Sequence, residues 1–192
     1  MVGSRRASAD ARSVWRQKKV RAAEALAALA EVSVAFAGFS GIVTAFRRHN
    51  PGAWSQLDRF RLRFMVEFSL ATLALSLFPF FLSELGLPES KVWSLSSLLL
   101  GGGAFLYLIR SVVRLYPLLV AGEPVSRGLA SVSVTVGIGI TVSAFMNAAG
   151  FFSQPSGVYL AGVGGCLFVS SAMFARLLLA SSPNSGTDNE AG

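Results

Sequence analysis

The sequence holds one cysteine, Cys166, and one histidine, His49. A disulfide needs two cysteines, so a disulfide-stapled scaffold is excluded. No HExxH, CxxC or GxSxG motif occurs, and no phosphate-binding loop, so zinc, hydrolase and nucleotide chemistry lack their residues. No catalytic residue, metal or cofactor is expected. Charge is also scarce. Only 14% of the 192 residues are charged, against about 25% in a soluble domain. With 53% hydrophobic residues and a mean hydropathy of +0.57, intrinsic disorder and most soluble folds are excluded as well.

What the sequence has instead is apolar residues in five long blocks. A bilayer core about 30 Å thick needs roughly 20 apolar residues to cross it as a helix. Leu26–Phe46 carries one charge, Glu31, and Phe64–Ser83 carries one, Glu67. Trp93–Ile109 carries none, and its pattern runs on through Arg110 and Arg114 toward Val120. Leu129–Ala149 and Gly157–Ala175 are uncharged, with Arg176 just beyond. Lipid tolerates only helices or closed barrels, because every backbone polar group must be bonded within the protein. The expected fold is all-α, a polytopic transmembrane helix bundle of five spans, with four as the alternative. Residues 25–180 form the bundle. Residues 1–24 are a basic tail suited to an interfacial helix, with continuity into the first span as the alternative, and residues 181–192 are expected to be disordered.

The fourth block resists this reading. Ser131, Ser133, Thr135, Gly137, Gly139, Thr141 and Ser143 alternate with Val132, Val134, Val136, Ile138, Ile140 and Val142. Period two is a strand signal, yet a lone strand in lipid leaves both edges unbonded. A helix is expected, with the alternation unexplained. Asn50-Pro51-Gly52, Gly86-Leu87-Pro88, Gly122-Glu123-Pro124 and Gly150 to Pro155 mark the connectors. Asp58 is placed as a helix cap before the second span. Pro79 is expected to kink that span.

The basic residues give two nearly equal sides. The tail (Arg5, Arg6, Arg12, Arg16, Lys18, Lys19, Arg21) and Lys91 fall on one. Arg47, Arg48, Arg59, Arg61, Arg63, Arg110, Arg114, Arg127 and Arg176 fall on the other. Basic segments favour the cytoplasm, which leans toward placing the second group there, in a bacterial inner membrane. Trp93 and Tyr159 on one side, with Trp54 and Tyr116 on the other, read as headgroup anchors.

Charge within lipid is costly and often functional. Glu31 stands about one turn inside the first block, on a face with Ala27, Ala35 and Gly38, as a proton or cation site against a neighbouring helix or as a boundary carboxyl. Glu67 can pair with Arg63 four residues earlier, or with Arg110 across helices. Glu31, Glu67, Arg110 and Arg114 are the candidate intramembrane polar site. Arg47, Arg48, Arg59, Arg61, Arg63 and Arg176 are candidate contacts for anionic lipid or an acidic partner, since arginine forks match phosphate and carboxylate; snorkelling anchorage is the plainer reading. The expected partners are membrane lipids and either further copies of the chain or a membrane protein partner. The basic tail lacks a nucleic-acid motif, and no nucleic acid is expected. Two functions follow: an oligomeric pore or transporter-like unit for small ions or solutes, or a membrane scaffold or accessory subunit. The purified chain should stay dispersed only in detergent or lipid. Recovery of a compact monomer in buffer alone, measured by size-exclusion chromatography with light scattering, would overturn the membrane assignment.

Overall fold

The computed structural model describes the backbone of residues 2–47, 56–120 and 127–180, and side chains over 20–45, 62–113 and 131–175. Five helices follow in order: α1 Val2–Arg47, α2 Gln56–Glu84, α3 Glu89–Val120, α4 Arg127–Ala148 and α5 Pro155–Ala180. Among the described residues there is no strand. Each helix contains a stretch long and apolar enough to cross a membrane: Val20–Ala45, Leu62–Glu84, Glu89–Val113, Ser131–Ala148 and Pro155–Ala175. The protein is a polytopic helical bundle.

Residues 2–47 form one helix. The basic segment and the first span are continuous in it. Ala22 and Leu26 are already core residues, clustered with Trp93, Tyr159 and Leu100. α3 likewise runs through Arg110 and Arg114 to Val120. α2 passes through Pro79 without a break. α2 starts at Gln56, so Asp58 stands inside its first turn and is not its cap. The α2–α3 and α4–α5 connections turn at Gly86 (φ 73°) and Gly150 (φ 81°), where a side chain would strain the backbone. The connectors at 50–52 and 122–124, the tail 181–192, and His49 and Trp54 lie outside the described residues.

Between helices in lipid there is no hydrophobic force, so association depends on close packing and on hydrogen bonds. The buried faces show this. On α2, Leu62, Met65, Ser69, Thr72, Ser76, Pro79 and Leu82 are buried, spaced three or four apart as one stripe. On α1, which packs mainly on α2, Ala22, Leu26, Ala30, Ser33 and Ser40 are buried. Most of the hydroxyls in this seam close on their own helix. Ser33 donates to the Leu29 carbonyl, Ser40 to Phe36, Ser69 to Met65 and Thr72 to Phe68. Back-bonded in this way, serine is nearly as small and inert as alanine, and helices can approach across it. Where α5 joins the seam, Ser170 sits 3.4 Å from Ser69 and also donates to the Met65 carbonyl at 3.3 Å.

The alternation in α4 now has an account. A repeat of two contains a repeat of four, which is nearly one helical turn. Gly137 meets Leu108 of α3, and farther along Ala144 meets Gly101 of α3. Val136 and Ile140, four apart on another face, fill the space beside Gly165 of α5. One face of α4 is small toward α3, and another is branched toward the glycines of α5.

These glycines are spacers. A methyl group at Gly162 would stand 2.7 Å from a terminal carbon of Leu100, whereas Gly164 has open space. Gly162→Val should therefore lower stability by about 1–3 kcal/mol through overpacking, with Gly164→Val close to neutral. Unfolding of the two variants in mixed micelles checks this.

Candidate functional site

The charged candidates point outward. Glu31 is exposed, as are Ala27, Ala35 and Gly38 on the same face. That face is small, as its spacing implies, but among the described residues no other helix covers it.

Glu67 pairs within its own helix, with Arg63 Nε donating to Glu67 Oε1 at 2.7 Å. Their side chains are 64% and 42% exposed, so the pair lies at the surface. The alternative Glu67–Arg110 bridge is not formed; Arg110 is exposed and has no ion pair among the described residues. Arg63 already occupies the near side of the carboxylate one turn away, the favoured spacing for a helix pair. Arg48 lies outside the described residues. Arg47, Arg59, Arg61, Arg114 and Arg176 stand on helices at positions whose side chains lie outside them.

Trp93 and Tyr159 correct the anchor reading. They are 8% and 1% exposed, and their rings pack 5.9 Å apart inside the bundle. Tyr159 Oη donates to the Leu75 carbonyl of α2 at 2.7 Å. A buried tyrosine needs a partner for its hydroxyl, and here the partner is backbone, not headgroup. Both residues do stand at the same end of the bundle. At the other end, Tyr107 of α3 packs edge-on against Phe64 and Phe68 of α2, with centroids at 5.1 and 4.4 Å.

The polar group that searching for charge misses is Asn147. It is 3% exposed near the end of α4. Its Nδ2 donates to Ser97 Oγ of α3 and to the Pro155 carbonyl that opens α5, both at 2.8 Å. Next to it, Ser94 Oγ donates to the Ala148 carbonyl at 2.7 Å. Asn147 is the single asparagine in an otherwise uncharged span, and a lone amide in lipid is itself a signal of interhelical bonding. Among the described residues, three buried atoms in this half of the bundle have no partner: Ser76 Oγ, Ser96 Oγ and Asn147 Oδ1. Buried groups of this kind are ordinarily satisfied by water.

What the interior can do chemically is donate and accept hydrogen bonds through neutral groups. Among the described residues, no three His, Cys, Asp or Glu side chains gather. Cys166 is buried in the core beside Tyr159 and Val163, the packing role expected of a lone cysteine.

Comparison with protein-family models, with curated proteins and with solved structures finds no match. Function therefore has to be argued from the placement of these groups.

Asn147→Leu removes the donor held by Ser97 and Pro155 and strands a buried carbonyl. A loss of about 1–3 kcal/mol is expected. Arg63→Gln breaks only a surface pair and should cost about 0.5 kcal/mol or less. Thermal unfolding in detergent distinguishes the two.

Proposed function

We propose that this protein is a non-catalytic membrane scaffold or accessory subunit that works through its outer surface. The observation that supports this reading is the direction of its charges. Glu31, Glu67 and Arg110 are all exposed, while the described interior is lined by neutral serine, threonine, asparagine and tyrosine. A unit that conducts through its own bundle needs its polar pathway inside, where ionisable groups mark ion and substrate routes; a pathway between copies would be lined by outer faces, and the flux measurement covers both. A subunit that binds lipid or another protein needs its polar groups outside.

The arginines complete the reading. Arg47, Arg59, Arg61, Arg63, Arg110, Arg114 and Arg176 belong to the ends of helices that meet at one end of the bundle. At that level arginine side chains reach headgroup phosphates and bind them by paired hydrogen bonds. Membrane lipids are the first partner proposed, in a bacterial inner membrane.

A path for small polar solutes is the second reading, favoured by one observation, the unpartnered Ser76, Ser96 and Asn147 atoms. Reconstituted vesicles decide between the two. Ion and small-solute flux should equal that of empty vesicles across pH, and flux clearly above that baseline would overturn the scaffold reading. Replacing Arg110 and Arg114 by Gln should lower co-purified anionic lipid by several-fold. Unchanged lipid recovery would remove the belt from the proposal.

A further inference from the structure

We infer that the turn between α4 and α5 is sunk into the lipid leaflet at the acyl boundary, with Phe151 and Phe152 reaching among the acyl chains as the anchor of that end of the bundle. The inference stands apart from the scaffold reading and goes beyond it. It begins with a surface that water disfavours. Phe151 is 74% exposed at the tip of the turn, and Phe152 beside it is exposed as well. Trp93 and Tyr159, the aromatic residues expected to anchor this end, are buried inside the bundle. Between Arg127 and Arg176 the sequence has no charged residue, so the turn is as uncharged as the spans it joins. The α2–α3 turn is different. Glu84, Glu89 and Lys91 surround it, and all three are exposed.

The two turns also stand at different levels. Ser94 Oγ of α3 donates to the Ala148 carbonyl at 2.7 Å, which sets the last residue of α4 level with Ser94. Asn147 Nδ2 holds the Pro155 carbonyl at 2.8 Å, so α5 opens at that same level. α3 begins five residues before Ser94, at Glu89, which places its charged start about 7.5 Å farther out along the helix. Charged side chains belong in headgroups or water. The α2–α3 turn therefore marks the headgroup level, and the α4–α5 turn lies inside it.

Lipid accepts a turn only where backbone polar groups are bonded, and in this turn the groups nearest the helix ends are closed from within. The Gly150 and Phe151 amides donate to the Asn147 and Met146 carbonyls at 3.0 and 3.1 Å, the pairing that ends a helix on a left-handed glycine. The Ala149 amide donates to the Phe145 carbonyl at 3.0 Å. Side chains take two more carbonyls, Ser94 that of Ala148 and Asn147 that of Pro155. The Phe151 amide bond also folds the tip back toward Met146. Phe145 and Met146 are exposed on the last turn of α4, so one apolar surface runs from the span onto the tip. This continuity selects the occupant: the lipid that covers the span also covers the turn, as at the boundary where apolar faces of interfacial segments settle.

Fluorescence quenching in phosphatidylcholine–phosphatidylglycerol vesicles tests this with the full chain. A nitrobenzoxadiazole label is placed on Ser153→Cys, which keeps both phenylalanines, or on Ser90→Cys at the start of α3, each with Cys166→Ala so that one thiol remains. Lipid brominated on its upper acyl carbons should quench the label at 153 several-fold more than the label at 90, and aqueous iodide should do the reverse. Replacing Phe151 and Phe152 together by Ser, with helix content by circular dichroism unchanged, should raise iodide access at 153 several-fold and leave it unchanged at 90. If that variant fails to fold, the comparison of the two labelled sites in the parent chain still decides. Equal quenching at 153 and 90 would overturn the inference, as would unchanged iodide access in the folded double variant. Protection from iodide at 153 without quenching by brominated lipid would overturn it too, because a second copy and not acyl chains would then cover the turn.

Discussion

The structure depends on one constraint: in hydrocarbon, helices are not pushed together by water. The surrounding lipid is as apolar as leucine, so burying a leucine against another helix gains little that lipid does not already give. What remains is contact distance and hydrogen bonding. The α1–α2 seam answers with serine, threonine and alanine along both faces. Most of its hydroxyls are spent on the carbonyl one turn back. The result is a seam chemically polar in sequence and nearly apolar in effect. The α3–α4–α5 side answers with glycines at Gly101, Gly137, Gly162 and Gly165, each with a neighbour of another helix where a side chain would begin.

The same constraint explains how much could be read from the residues alone. Number and type of elements were legible, because hydrocarbon demands backbone self-satisfaction over a fixed thickness, and five apolar blocks of that length leave little choice. Even the alternation in α4 yields to this argument, since the solvent forbids the strand that local pattern favours. Facing was less legible. Trp93 and Tyr159 sit where anchors sit in sequence, at the starts of spans, but a ring four residues past a helix start can turn inward or outward with equal ease. The available Leu75 carbonyl decides the matter for Tyr159, and that carbonyl belongs to a helix more than eighty residues away.

The candidate site divides along similar lines. Glu31 is visible as a rare charge in a greasy block. Its facing is not, because which side of α1 is covered is set by packing on α2 and α5 and not by the residues of α1 alone. Glu67 illustrates competition. Two arginines were within reach by topology, and the one already on the same helix wins, since its partner needs no tertiary geometry to find it. Asn147 shows the limit of looking for charge. An amide has no net charge to register in a composition count, yet it links α3 through Ser97 and the start of α5 through Pro155.

Inside and outside thus carry opposite kinds of polarity, and this separation has a functional logic. Neutral hydroxyls and an amide can be closed by nearby backbone, so they stabilise a bundle without demanding any further partner. A carboxylate cannot be closed by backbone carbonyls, which repel it; it needs a cation, donors or water. Glu31 stands on the outer face of α1 beside Ala27, Ala35 and Gly38, so whatever meets its carboxyl, water at the membrane boundary included, comes from outside the bundle. The inner seams carry neutral groups that neighbouring backbone closes, and a bundle held together in this way needs no charge at its helix contacts.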